Sequence, residues 1–119
     1  MIEVEMKKMQ NDLWGEFCNI FGATPRNRIL EFFLEMRELD LAIGDVAEEI
    51  GLNKATTYNT VEELIEEEFI VPTRKVGKIQ LYRLNIPKPE VKLLIATFNN
   101  VLKTLGEKYN REKMLEVEN

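Results

Sequence analysis

The segment Leu41 to Tyr58, LAIGDVAEEIGLNKATTY, constrains this chain more than any other. Val46, Ala47 and Ile50 give a short helix one apolar side, and Gly51 stands where a left-handed residue would close that helix and turn the chain. Asn53 then offers a side-chain oxygen to the unpaired amides that open the next helix. In that second helix Thr57, Val61, Leu64 and Ile65 share the inward face, which leaves Lys54, Ala55, Thr56, Tyr58 and Asn59 at or near the outer surface of its first two turns. The front half is polar without acid, whereas Glu62 to Glu68 holds five glutamates. A polar, non-acidic helix tip is what a chain needs to lay a helix end against a nucleic-acid groove.

The next stretch, Phe69 to Asn85 (FIVPTRKVGKIQLYRLN), is rich in β-branched and aromatic residues on both sides of Gly77, so a two-stranded hairpin over Ile70 to Val76 and Ile79 to Leu84 is expected. Pro72 makes its first strand an edge or irregular one. The hairpin carries Arg74, Lys75, Lys78 and Arg83 and no acidic residue. Upstream, Met6, Met9, Leu13, Trp14, Phe17, Ile20 and Phe21 recur at helical spacing as far as Gly22. Thr24-Pro25 then predicts the start of a helix with Ile29, Leu30, Phe33, Leu34 and Met36 inward, running to about Glu38. Beyond Pro87 and Pro89 a long helix carries Val91, Leu94, Ile95, Phe98, Val101, Leu102, Leu105 and Tyr109 at the same spacing.

A chain of 119 residues suits one domain with no separate catalytic domain. It contains no histidine and one cysteine, Cys18, which rules out an intrachain disulfide, a multi-cysteine metal cluster and the usual histidine base chemistry. The chain is therefore read as a non-enzyme, with no catalytic residue, metal or cofactor assigned. Cys18 sits among Trp14, Phe17 and Phe21, where a lone thiol behaves as a small hydrophobe. The apolar runs are short and Glu3, Glu5, Asp12 and Glu16 interrupt the beginning, so neither a signal peptide nor a membrane span is expected, and a cytoplasmic, nucleoid-associated location follows. A net charge of -5 opposes indiscriminate polyanion binding, but acid and base are segregated between the helix end and the hairpin. Charges within a Debye length of about 10 Å decide a contact, so local charge outweighs the total.

From about Thr24 to Asn85 the chain resembles prokaryotic, and especially archaeal, winged helix-turn-helix transcription regulators of the broad MarR/ArsR-like kind. The resemblance rests on GLNKATTYNTVEELIEEEFI, similar to the opening of that family's recognition helix, and on the closing LYRLN of its wing. It covers roughly half of the chain and implies a mainly α fold with a small β-hairpin (α+β), a winged helix-turn-helix with extra N- and C-terminal helices. The corresponding division is residues 1–22 as an N-terminal dimerisation or packing helix, 23–86 as the winged domain and 87–119 as a C-terminal dimerisation helix. The resemblance also implies that Asn53, Lys54, Thr56, Tyr58 and Asn59 face the major groove, with Arg74, Lys75 and Lys78 of the wing on backbone or minor groove. The sequence departs from the family pattern at Asn59, where a basic residue is common, and at Glu68, where a glycine often ends the recognition helix.

Chemically, an asparagine amide can pair with an adenine edge and a threonine methyl can touch a thymine methyl, which points to Asn59 and Thr56 for base readout. Lys54 and the wing cations suit phosphates, although cations on an exposed hairpin also protect its edge from aggregation. The two flanking stripes either fold back on their own domain or pair with a second copy. In the second case Met9, Leu13, Phe17, Val91, Leu94, Ile95, Phe98, Leu102 and Leu105 form the seam of a homodimer whose recognition helices meet half-sites about one DNA turn apart. The expected function is a dimeric regulator of transcription that binds double-stranded DNA and represses by occupying an operator, with any small-molecule effector left open. The alternative is a winged helix turned protein-interaction module of a transcription, replication or partition complex.

Overall fold

The computed structural model describes residues 15–118, over which the elements run α1 (Gly15–Phe21), α2 (Pro25–Glu35), β1 (Leu41–Ala42), α3 (Ile43–Ile50), α4 (Lys54–Glu66), β2 (Ile70–Val76), β3 (Ile79–Leu84) and α5 (Pro89–Glu118). The expectations for Met6, Met9, Leu13 and Trp14 lie outside the described residues.

Local chemistry explains the helix boundaries. Thr24 accepts a hydrogen bond from Asn27 N at 3.1 Å, and Pro25 occupies the first turn of α2, where its missing N–H costs nothing. That helix stops at Glu35 rather than about Glu38, because the chain has to turn there to lay Leu41 and Ala42 antiparallel to Tyr82 and Leu81 of β3. Long-range pairing overrides a helical pattern that was locally sound. At the end of α3, Gly51 has φ 67° and Leu52 N–H reaches back to the Ala47 carbonyl at 3.0 Å. The end of α4 repeats that geometry with Glu68 in the left-handed position at φ 64°, where Phe69 N–H bonds the Leu64 carbonyl at 2.9 Å and Glu68 N–H bonds the Ile65 carbonyl at 3.0 Å. Both are six-to-one helix closures, one on a glycine and one on a glutamate.

The sheet has three antiparallel strands in the order β1-β3-β2, one more than the hairpin expected from the sequence. A two-residue strand is too short to leave a periodic signal. Pro72 lies on β2, an edge strand, and a one-residue register shift between Pro72 and Lys75 bulges that edge. Ile70 and Leu84 pair at the hairpin base and are buried, whereas Val76 and Ile79 pair at the far end and are 54% and 57% exposed. The ribbon therefore leaves the core as a projecting wing.

Ile29, Leu30, Phe33 and Leu34 of α2 form the centre of the core with Val46 of α3, Val61 and Leu64 of α4 and the hairpin base. The terminal helices complete it, which corrects the expectation that their whole stripes face a second copy. Phe17, Val91 and Phe98 are buried inside the chain, and Leu94 and Ile95 pack half-buried against the same cluster. The reason is that α1 lies on both α2 and α5, so the first turns of α5 are needed at home. After Val101 the described side chains of α5 are exposed, including Leu102 and Leu105.

Candidate nucleic-acid interface

The tip of α4 is built by Asn53. Its Oδ1 accepts from Ala55 N at 2.8 Å and from Thr56 N at 3.3 Å, satisfying two of the helix's opening amides. Asn53 is thus exposed but committed through its oxygen to the cap. Thr57 is fully buried and donates its hydroxyl to the Asn53 carbonyl at 2.8 Å, anchoring the tip from inside. Lys54, Tyr58 and Asn59 are exposed on the outer face; Thr56 is half-buried. Tyr58 leans toward α3, with its hydroxyl 4.0 Å from where a β-carbon on Gly44 would stand. Beyond them the exposed residues are Glu62, Glu63 and Glu66, so the helix changes sign along its length. One acid at its far end is matched: Glu67 pairs with Arg26 at 2.6 Å, and the Arg26 guanidinium and the Lys88 ammonium both lie over the Phe69 ring.

The wing is less uniformly cationic than its own sequence suggests. Asp40, the residue before β1, sets one carboxylate oxygen 2.9 Å from Arg74 Nε and the other 2.9 Å from Arg83 Nη2. The first contact is an aligned hydrogen bond; the second is an ion pair without hydrogen-bond alignment at Oδ1. Arg83 is held a second time through the Glu38 carbonyl at 3.1 Å. Lys75 and Lys78 are exposed and make no ion pair among the described residues. Asp40 was missed as a member of this site because it stands far from the hairpin in sequence, and only the pairing of β1 with β3 brings it there.

Beneath α1, Glu31 is buried with its Oε2 accepting from Cys18 N at 2.9 Å. Burial raises the Glu31 carboxyl pKa, and the nearby Glu35 charge adds to that, against the opposing effect of the Cys18 hydrogen bond. Burial first, and Glu31 beside it, push the Cys18 thiol up to about 12, so it stays protonated and inert at neutral pH. Among the described residues no group of three or more His, Cys, Asp or Glu side chains could hold a metal ion, and no helix is long and apolar enough to cross a membrane.

A family model for the IclR helix-turn-helix domain matches residues 28–74, from early α2 through α3 and α4 into the wing. Solved structures match over 75% to 100% of the chain. MepR of Staphylococcus aureus, a transcription regulator of the multidrug efflux pump MepA, is similar at 15% identity and TM-score 0.56 over 99% of this chain and 96% of its own. The chain has the winged helix-turn-helix fold. MepR in its DNA complex is similar at 19% identity and TM-score 0.55, over 100% of this chain and 96% of that one. ZitR of Lactococcus lactis, as the apo C30AH42A mutant, is similar at 16% identity and TM-score 0.59, over 98% and 89%. No curated protein matches the sequence.

Proposed function

We propose that the chain is a DNA-binding transcription regulator of the broad MarR/ArsR-like kind that acts as a homodimer and represses by occupying an operator. The observation that carries this reading is the capped, acid-free tip of α4 together with a projecting wing that exposes Lys75 and Lys78. The match of residues 28–74 to a helix-turn-helix domain and the likeness to MepR, which has been solved with DNA, support it. Asn59 and Thr56 are assigned to base edges and Lys54, Lys75 and Lys78 to phosphates. Asn53 contributes by building the tip, with its amide nitrogen the group left to face a groove. Tyr58, partly exposed at the same tip, is assigned to the groove wall.

For dimerisation, the exposed apolar side chains support a seam narrower than the full stripes. Leu102 and Leu105 are 48% and 42% exposed on α5, and Ile20 on α1 lines one groove with Leu105. In this division residues 23–86 meet DNA and the ends of the chain join two copies. The test is selection of bound fragments from a genomic library followed by footprinting. The expected result is a palindromic site with two protected half-sites about one helical turn apart. Failure to retain any fragment at low salt would favour the interaction-module reading, which the acidic rear of α4 supports.

A further inference from the structure

We propose that Asp40 withholds Arg74 from nucleic-acid phosphates, leaving Lys75 and Lys78 as the wing's backbone contacts; this rests on the DNA-binding reading above. Three features of the structure carry it. The Asp40 side chain is only 14% exposed while that of Arg74 is 67% exposed, so the carboxylate is a fixed post and the arginine is the part drawn to it. The bulge between Pro72 and Lys75 sets the local twist of β2, and Gln80 Nε2 holds the Arg74 carbonyl at 3.1 Å, which fixes the backbone from which the arginine reaches Asp40. Finally, the same carboxylate also takes Arg83, itself tied to the Glu38 carbonyl, so Asp40 is anchored by a residue in the central strand.

The consequence is a limit on sequence-independent affinity. Each phosphate neutralised by a cation releases counterions and raises affinity for every duplex alike, so engaging Arg74 internally leaves a larger share of binding to base-reading side chains. Asp40 acts here through Arg74 and is a positioning residue for the wing.

Fluorescence anisotropy with a labelled mixed-sequence duplex of about 30 base pairs, long enough for half-sites one turn apart, reads the slope of log affinity against log salt. Asp40→Asn removes the negative charge that draws Arg74, while Arg83 keeps its bond to the Glu38 carbonyl, and is expected to bind more tightly, with the slope steepened by about 0.9, the value of one further phosphate contact. Adding Arg74→Ala to that variant is expected to restore the wild-type slope. Glu38→Gln, which removes an equal charge nearby, is expected to leave the slope unchanged and so separates the effect from net charge. In the wild-type chain Arg74→Ala is expected to change the slope far less than Lys78→Ala, a comparison that holds even if Asp40→Asn does not fold. An unchanged or weaker Asp40→Asn complex, or equal losses for Arg74→Ala and Lys78→Ala, overturns the proposal while wild-type binding leaves the DNA reading standing. Absence of salt-dependent binding by the wild type overturns both.

Discussion

Glu68 and Gly51 hold the same left-handed backbone at the ends of successive helices, and only one of them is suited to it. A side chain at positive φ costs about 1–2 kcal/mol, part of which a glycine gives back through the greater freedom of its unfolded chain. Glu68→Gly is therefore expected to raise stability by about 1 kcal/mol in urea denaturation, provided the Asn85 side chain keeps its 2.8 Å bond to the residue 68 carbonyl. Glu31 is the second residue with a signed prediction. Its carboxyl pKa is raised in the fold, so its contribution to stability is complete in acid and is lost as pH rises through the raised value. Glu31 is expected to contribute a fall in melting temperature as pH rises above the ordinary carboxylate range, and Glu31→Gln, which keeps an acceptor for Cys18 N–H, is expected to remove that contribution. The departure at Glu68 was visible in the sequence because a family pattern puts glycine there. The burial of Glu31 was not, since nothing in ILEFF (residues 29–33) announces that the backbone of α1 will come to rest on that carboxylate.

Elements were legible where their signals are local. Thr24-Pro25, Asn53 and Gly51 mark boundaries through their own side chains or the lack of one, and Ile70 to Val76 and Ile79 to Leu84 form strands over the ranges their composition suggested. What depended on distant partners was not legible: the early stop of α2, the two-residue β1 and the Asp40 carboxylate that β1 delivers to the wing. For α4, Asn53→Ala removes both cap bonds and is expected to cost about 1 kcal/mol of stability by chemical denaturation. Asn53→Asp keeps the acceptor and adds a negative charge favoured by the helix dipole, so the fold is expected to stay as stable while duplex binding weakens. That split between stability and affinity distinguishes a tip that faces phosphates from one that only closes a helix.

In the whole molecule, the apolar stripes of the terminal helices divide into a buried and an exposed part that spacing alone could not separate. Their apolar stripes are continuous in sequence, but Phe17, Val91 and Phe98 finish the chain's own core while Leu102 and Leu105 remain outside it. Phe98→Ala is expected to cost about 3–5 kcal/mol of stability as a buried truncation. On the proposed homodimer, Leu102→Lys with Leu105→Lys is expected to leave the fold of each copy intact and to halve the mass seen by sedimentation equilibrium. The central claim is that a chain of net charge -5 meets a duplex through a local cationic surface at the α4 tip and wing. Anisotropy titration of wild type and of Lys54→Glu with Lys78→Glu against one duplex, from low to physiological salt, tests it most directly. The account predicts wild-type binding that weakens steeply with salt and a double variant that folds normally but has lost most of its affinity and salt dependence. Equal binding by both proteins, or none by the wild type at low salt, would contradict it.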